Sequence, residues 1–154
     1  MAWVKQTTQF PGWTAGARSI ATLTGDGEYT FYVGPAIGAV VGLNDNDQSA
    51  DYQEISHGFY IENSYTRVIE SGIFKTTSYN YSSVWELKIT RIGGVVRYYI
   101  NTNLIYTSDE LSYETVFLDC SLYADGDTVF DITCTETFNP SPNSEGLSLS
   151  PLIG

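Results

Sequence analysis

Four things are scarce in this 154-residue sequence: histidine (one), cysteine (two), methionine (one) and positive charge, seven Lys and Arg against eighteen Asp and Glu. Each scarcity excludes something. A net charge of −11 with scattered basic residues disfavours nucleic acid and anionic membrane surfaces as partners, because like charges repel over a Debye length. Two cysteines allow one bridge but do not make a disulfide scaffold. There is no apolar run of about 18 residues, so no transmembrane helix is expected. The N-terminal Met1-Ala-Trp-Val-Lys-Gln-Thr-Thr has no basic region followed by an apolar stretch, so no signal peptide is expected and the chain reads as folding in a cytoplasm. No segment carries ten residues of helical periodicity.

Aromatic residues are plentiful at 14%, twelve of them tyrosine, within an apolar fraction of 42%. That is enough to bury a core in one domain of this length. The pattern is alternation. In Val84-Trp-Glu-Leu-Lys-Ile-Thr-Arg-Ile92, Trp85, Leu87 and Ile89 point one way and Glu86, Lys88 and Thr90 the other, the period of a strand with one face in a core. Gly93-Gly94 then permits the positive φ angles of a tight hairpin, leading into Val95-Val-Arg-Tyr-Tyr-Ile-Asn101. Pairing Ile92 with Val95 sets Ile89 opposite Tyr98 and Leu87 opposite Ile100. Glu86, Lys88, Arg97, Tyr99 and Asn101 then lie outside.

A second hairpin is expected between Val116–Tyr123 and Val129–Thr135 through Ala124-Asp-Gly-Asp127. Leu122 would pair with Phe130, Cys120 with Ile132 and Leu118 with Cys134, leaving Asp119, Ser121, Asp131 and Thr133 on the outer face. The cysteines are then diagonal neighbours on an apolar face, which favours buried thiols over a disulfide. Further strands are expected at Arg18–Thr24, Tyr29–Val33, Ile37–Leu43, Gly58–Glu62, Arg67–Glu70 and Leu104–Thr107, separated by Gly-, Asn- and Asp-rich turns. The expected fold is an all-β antiparallel sandwich or jelly roll over residues 17–138. Residues 1–16 are a first strand or a contact segment. Residues 139–154 hold three Pro and four Ser, with an apolar tip of Leu147, Leu149, Leu152 and Ile153. They read as an extended arm whose tip packs back on the domain or grips a neighbour.

Trp85-Glu-Leu-Lys-Ile-Thr-Arg-Ile-Gly-Gly-Val-Val-Arg-Tyr-Tyr-Ile-Asn-Thr-Asn-Leu-Ile-Tyr-Thr-Ser108 resembles a stretch of the concanavalin A-like lectin and glucanase sandwiches. Val41-Gly-Leu43, Gly58-Phe-Tyr-Ile61, Val68-Ile-Glu-Ser-Gly72 and the strand from Phe117 to Tyr123 fit the same plan. Over residues 36–138 the version it most resembles is the small jelly roll of bacteriophage structural proteins. The resemblance implies a non-enzymatic virion structural protein, a capsid decoration or tail component. Such a protein would be made in the host cytoplasm and partnered by other virion proteins and by copies of itself. The alternative it implies is a lectin-like module for glycans on a host surface.

The residues themselves offer few sites. The paired carboxylates of a retaining glycosidase, roughly 5 Å apart on one strand, have no matching motif. Glu110 and Glu114 lack a central Asp, Glu86 is isolated, and Asp131 and Glu136 face opposite sides of a strand. His57 has no nucleophile elbow near it and reads as a solvated loop residue. Asp45, Asp47 and Asp51 crowd one loop as Ca²⁺ ligands would, though without EF-hand spacing, so no cofactor is expected beyond that candidate ion. Tyr60, Tyr79, Tyr81, Tyr99 and Tyr106 could form an outward platform for stacking a sugar ring, but use in the core or at an ordinary interface is the favoured reading.

Overall fold

A computed structural model describes residues 2–4, 15–46, 51–124 and 126–137. Two antiparallel sheets face each other across one core. The first sheet runs, in spatial order, β1 (Ala2–Val4), β13 (Thr128–Glu136), β3 (Gly27–Val33), β9 (Leu87–Ile92), β10 (Val95–Ile100) and β11 (Asn103–Thr107). The second runs β2 (Ala15–Leu23), β12 (Val116–Leu122), β4 (Ala36–Asn44), β5 (His57–Asn63), β6 (Tyr65–Glu70) and β7 (Ile73–Phe74), with β8 (Tyr79–Asn80) also on β6. A single turn of 3-10 helix spans Tyr52–Glu54. No helix among the described residues is long and apolar enough to cross a membrane.

The expected hairpin at Gly93-Gly94 forms as the alternation and turn dictate. Both glycines have positive φ (58° and 83°), and Ile92, Ile89 and Leu87 face Val95, Tyr98 and Ile100. Leu87, Ile89, Val96 and Tyr98 join Phe31, Val41, Phe59 and Leu118 in the inter-sheet core. Phe59 lies edge-on to both Phe31 (6.1 Å) and Tyr98 (5.4 Å), a geometry that suits ring quadrupoles. The six further strands expected from the sequence are also present. The two-residue strands β7 and β8 are not legible in the pattern.

The second hairpin does not form. β12 pairs with β2 and β4, whereas β13 pairs with β1 and β3 in the other sheet. Leu122 therefore sits opposite Ala39 and Ala15, not Phe130, and Cys120 and Cys134 belong to different sheets and are not joined in a disulfide. The intervening loop crosses the end of the sandwich and does not fold back. Asp127 fixes it there: its carboxylate accepts N–H groups from Ile37 and Gly38 of β4 and from Ala124 (3.0, 3.2 and 2.8 Å).

The expected outer face of β12 is buried as well, Asp119 and Ser121 included; Asp119 accepts from the Asn44 amide (3.0 Å) and Arg18 lies over Phe117 (4.8 Å). On the outer side Val40 of β4 and Ile69 of β6 pack with Ile55, beneath Tyr52 and Tyr60. In this crowded sheet β4 and β5 approach so closely that a Cβ at Gly42 would lie 2.0 Å from the His57 carbonyl oxygen. Asp131 remains exposed, at a bulge in β13 where its φ is 51°.

Candidate functional site

The strands present their connections at two ends, and the ends differ in chemistry. At one, the loop Ser108–Thr115 crosses from β11 in the first sheet to β12 in the second. Two side chains fasten it. His57 is only 4% exposed; its Nε2–H donates to the Glu110 carbonyl (2.8 Å), while Nδ1 lies 3.0 Å from Ser56 Oγ. The reading of His57 as a solvated loop residue is thus corrected. Its burial depends on a segment more than fifty residues downstream, which no local pattern reveals.

Arg91, at the inward-facing end of β9, is 2% exposed. Its guanidinium donates to the carbonyls of Leu23, Gly25 and Glu114 and to Ser112 Oγ, at 2.6–3.1 Å. Burial lowers its proton affinity while Asp26 and Glu136 oppose that shift. A charge this deep is tolerated because its donors meet oxygens in every direction.

A cleft of about 280 Å³ opens beside this crossover, lined by His57, Glu70, Lys75 and Glu110 among others. Glu70 is 2% exposed and accepts hydrogen bonds from the Tyr98 hydroxyl (2.7 Å) and Ser108 Oγ (2.9 Å). Burial and the neighbouring Glu70 carboxylate push the Tyr98 phenol well above its ordinary value, so it stays a donor. Glu136 binds the N–H groups of Thr24 and Gly25 and the Thr24 hydroxyl. Burial works against its charge, but these bonds and Arg91 outweigh it and hold the carboxyl below its usual range.

The opposite end holds the larger cleft, of about 600 Å³. Pro35, Ala36 and Ile37 form one wall, Asn63 and Ser64 of the β5–β6 turn and Ser82 and Ser83 the next, and Gly126 and Asp127 the floor. Tyr81 anchors this wall. Its backbone N–H bonds the Ser64 carbonyl (2.8 Å), and its hydroxyl donates to the Val33 carbonyl (2.5 Å) while accepting the Val33 N–H (2.9 Å). Burial pushes this phenol up to about 12, partly offset by the bond to Val33. The cleft thus offers serine hydroxyls and an asparagine amide beside an apolar wall. Asp127, the one carboxylate among the described lining residues, already accepts three backbone N–H groups.

The tyrosines named from the sequence do not share one platform. Tyr81 is 7% exposed in the end cleft. Tyr79, on β8, packs against the core, with its hydroxyl 3.5 Å from the Ile105 carbonyl. Tyr106 leans on Tyr98 across the neighbouring strand (6.0 Å). Tyr99 lies on the outer face of the first sheet under Lys88 (4.7 Å), and Tyr60 on that of the second, against Tyr52 and Phe74. Alternation assigned faces correctly for Tyr99 and Tyr60, but it could not show that these faces belong to different sheets.

Asp45 and Asp51 are both exposed, and the Asp51 carboxylate caps the N–H of Gln53 (2.9 Å). Asp47 lies outside the described residues, as do Leu147, Leu149, Leu152 and Ile153. Among the described residues no group of three or more His, Cys, Asp or Glu is placed to hold a metal.

No protein-family model and no curated protein matches the chain. Solved structures do. The PSpry domain of TRIM65 superposes with a TM-score of 0.59 at 12% identity, over 77% of this chain and 70% of that one. The SPRY domain of human HERC1 gives 0.58 at 13%, over 77% and 82%. Alginate lyase AlgAT5, from polysaccharide lyase family 7, gives 0.51 at 14%, over 78% and 68%. At these identities the likeness is one of fold, and that fold is the concanavalin A-like jelly-roll β-sandwich.

Proposed function

We propose that this chain is a non-enzymatic binding module whose end cleft takes a neutral, hydroxyl-rich ligand, a glycan. The observation that carries the reading is the lining of that cleft. A volume of about 600 Å³ lies in the range of small-ligand sites, and hydroxyls and an amide stand beside the apolar faces of Ile37 and Pro35. Such walls match a pyranose, which has hydroxyls at its rim and C–H groups on its faces. The carboxylates described at both ends support binding over hydrolysis. Glu70, Asp127 and Glu136 each accept two or three hydrogen bonds that hold the sandwich together. The fold alone does not decide the matter, since it hosts a lyase as well as SPRY domains.

A glycan array probed with and without Ca²⁺ tests the reading. Neutral glycans are expected to bind under both conditions. Asn63→Gly, which keeps the positive φ of 58° while deleting the amide, should weaken the hits about tenfold. An array blank under both conditions overturns it.

A second reading, a subunit of a larger assembly such as a phage particle, is favoured by the outer edge of β2. That strand has nine residues with Arg18 as its one charge, Ile20 is 95% exposed, and among the described residues no strand pairs with its free edge. Long apolar edges invite pairing with another chain. Light scattering should then give a closed oligomer that Ile20→Lys dissociates, whereas a monomeric parent protein refutes the assembly.

A further inference from the structure

The described cations of this acidic protein are held in contrasting ways, and the contrast marks a second site. Arg91 is buried, with its donors on four oxygen atoms. Arg67, on the outer face of the second sheet, is half-buried and held by rings alone. Its guanidinium carbon lies 3.6 Å from the centroid of Phe74 and 5.6 Å from that of Tyr60, its cross-strand partner. Among the described residues it makes no hydrogen bond and no ion pair. The rings form a chain: Tyr60 meets Phe74 edge-on at 5.1 Å and Tyr52 at 6.1 Å, and the row rests on buried Val40, Ile55 and Ile69. Phe74 remains 42% exposed, beside Ile73 at 62%.

Stacking fixes the plane of a guanidinium without using its N–H groups, because the ring face attracts the cation from below while the donors point out along the edge. Such a fork matches a carboxylate, whose two oxygens accept two parallel N–H groups. We propose that Arg67, Tyr60, Phe74 and Tyr52 form a binding ledge for a carboxylate-bearing sugar, a uronic acid residue in a glycan. The carboxylate sits on the Arg67 fork and the C–H face of the pyranose rests on the neighbouring rings. An acidic peptide side chain brings the carboxylate without a flat apolar ring, and so uses only the arginine. At a net charge of −11 the molecule repels anions at long range, so an acidic ligand is held there by contact alone. No ledge residue lines the end cleft, so the two sites are read out separately.

The test is calorimetric titration of the whole chain with oligogalacturonate, its methyl ester and a short poly-glutamate peptide. Oligogalacturonate should bind, and the ester, which keeps the ring and loses the charge, should bind about tenfold more weakly or worse. The Arg67→Ala protein should lose the same factor at unchanged melting temperature, and Arg67→Lys should recover only part of it. Asn63→Gly should leave this binding intact while weakening neutral glycans, which separates failure of the ledge from failure of the cleft. The ester comparison needs no variant and stands even if Arg67→Ala folds poorly. Equal binding of acid and ester, no binding of the acid, an unaffected Arg67→Ala protein, or a peptide bound as tightly as the sugar would each overturn the proposal.

Discussion

Tyrosine is the commonest aromatic here, and its hydroxyls divide by environment. Burial is the leading cause in Tyr29, Tyr81 and Tyr98, and it drives all three phenols up, Tyr81 to about 12. The consequence for stability has a definite sign. An unfolded chain releases these protons near pH 10, whereas the folded chain retains them. Their contribution is therefore complete below pH 10 and declines as pH rises from 10 through 12 and beyond. Absorbance titration of the phenolate should show a late step, that of the buried Tyr29, Tyr81 and Tyr98, coincident with unfolding. Tyr81→Phe should cost about 1–3 kcal/mol in chemical denaturation, because the buried Val33 N–H and carbonyl lose their partner. Ionisation of all twelve tyrosines in one step, with the fold intact, would contradict this.

Among the elements, the crossover Ser108–Thr115 depends most on individual residues. Arg91→Met removes the donors that meet Leu23, Gly25, Ser112 and Glu114 and leaves buried acceptors unpaired. A loss of about 3 kcal/mol or more is expected, with hydrogen-exchange protection lost first in the crossover. Retained protection there would show that His57 alone fastens it. Arg91 also illustrates what the sequence makes legible. It follows Ile89 by two residues in β9 and so shares the inward face, but only the two loops it binds make burial tolerable, and they are distant in sequence. The β9–β10 hairpin was readable because its register follows from two adjacent glycines and an unbroken alternation. β12 and β13 show the same alternation, yet period two fixes only which residues share a face. Whether a connection returns to its own sheet or crosses to the other was decided by Asp127 bonding β4, a contact about ninety residues apart in sequence. His57 was misread for the same reason.

Across the whole molecule, the two ends of one sandwich do different work. The end around His57, Glu70 and Arg91 holds the fold together with its polar groups, whereas the end around Asn63, Ser64, Ser82 and Ser83 leaves hydroxyls and an amide lining an open cleft. The arrangement follows from where the loops cross: Ser108–Thr115 covers the first end, and the turns at Gly34, Asn63 and Ala124 leave the second open. The account stands or falls on ligand occupying that second end. Backbone amide shifts of the ¹⁵N-labelled chain, followed as a neutral oligosaccharide selected from the array is added, test it most directly. Saturable shifts at Asn63, Ser64, Ser82 and Ser83, with His57 and Glu110 unmoved, are the predicted result. Shifts clustered instead around His57, Glu70 and Glu110, or conversion of the oligosaccharide to product during the titration, would contradict it.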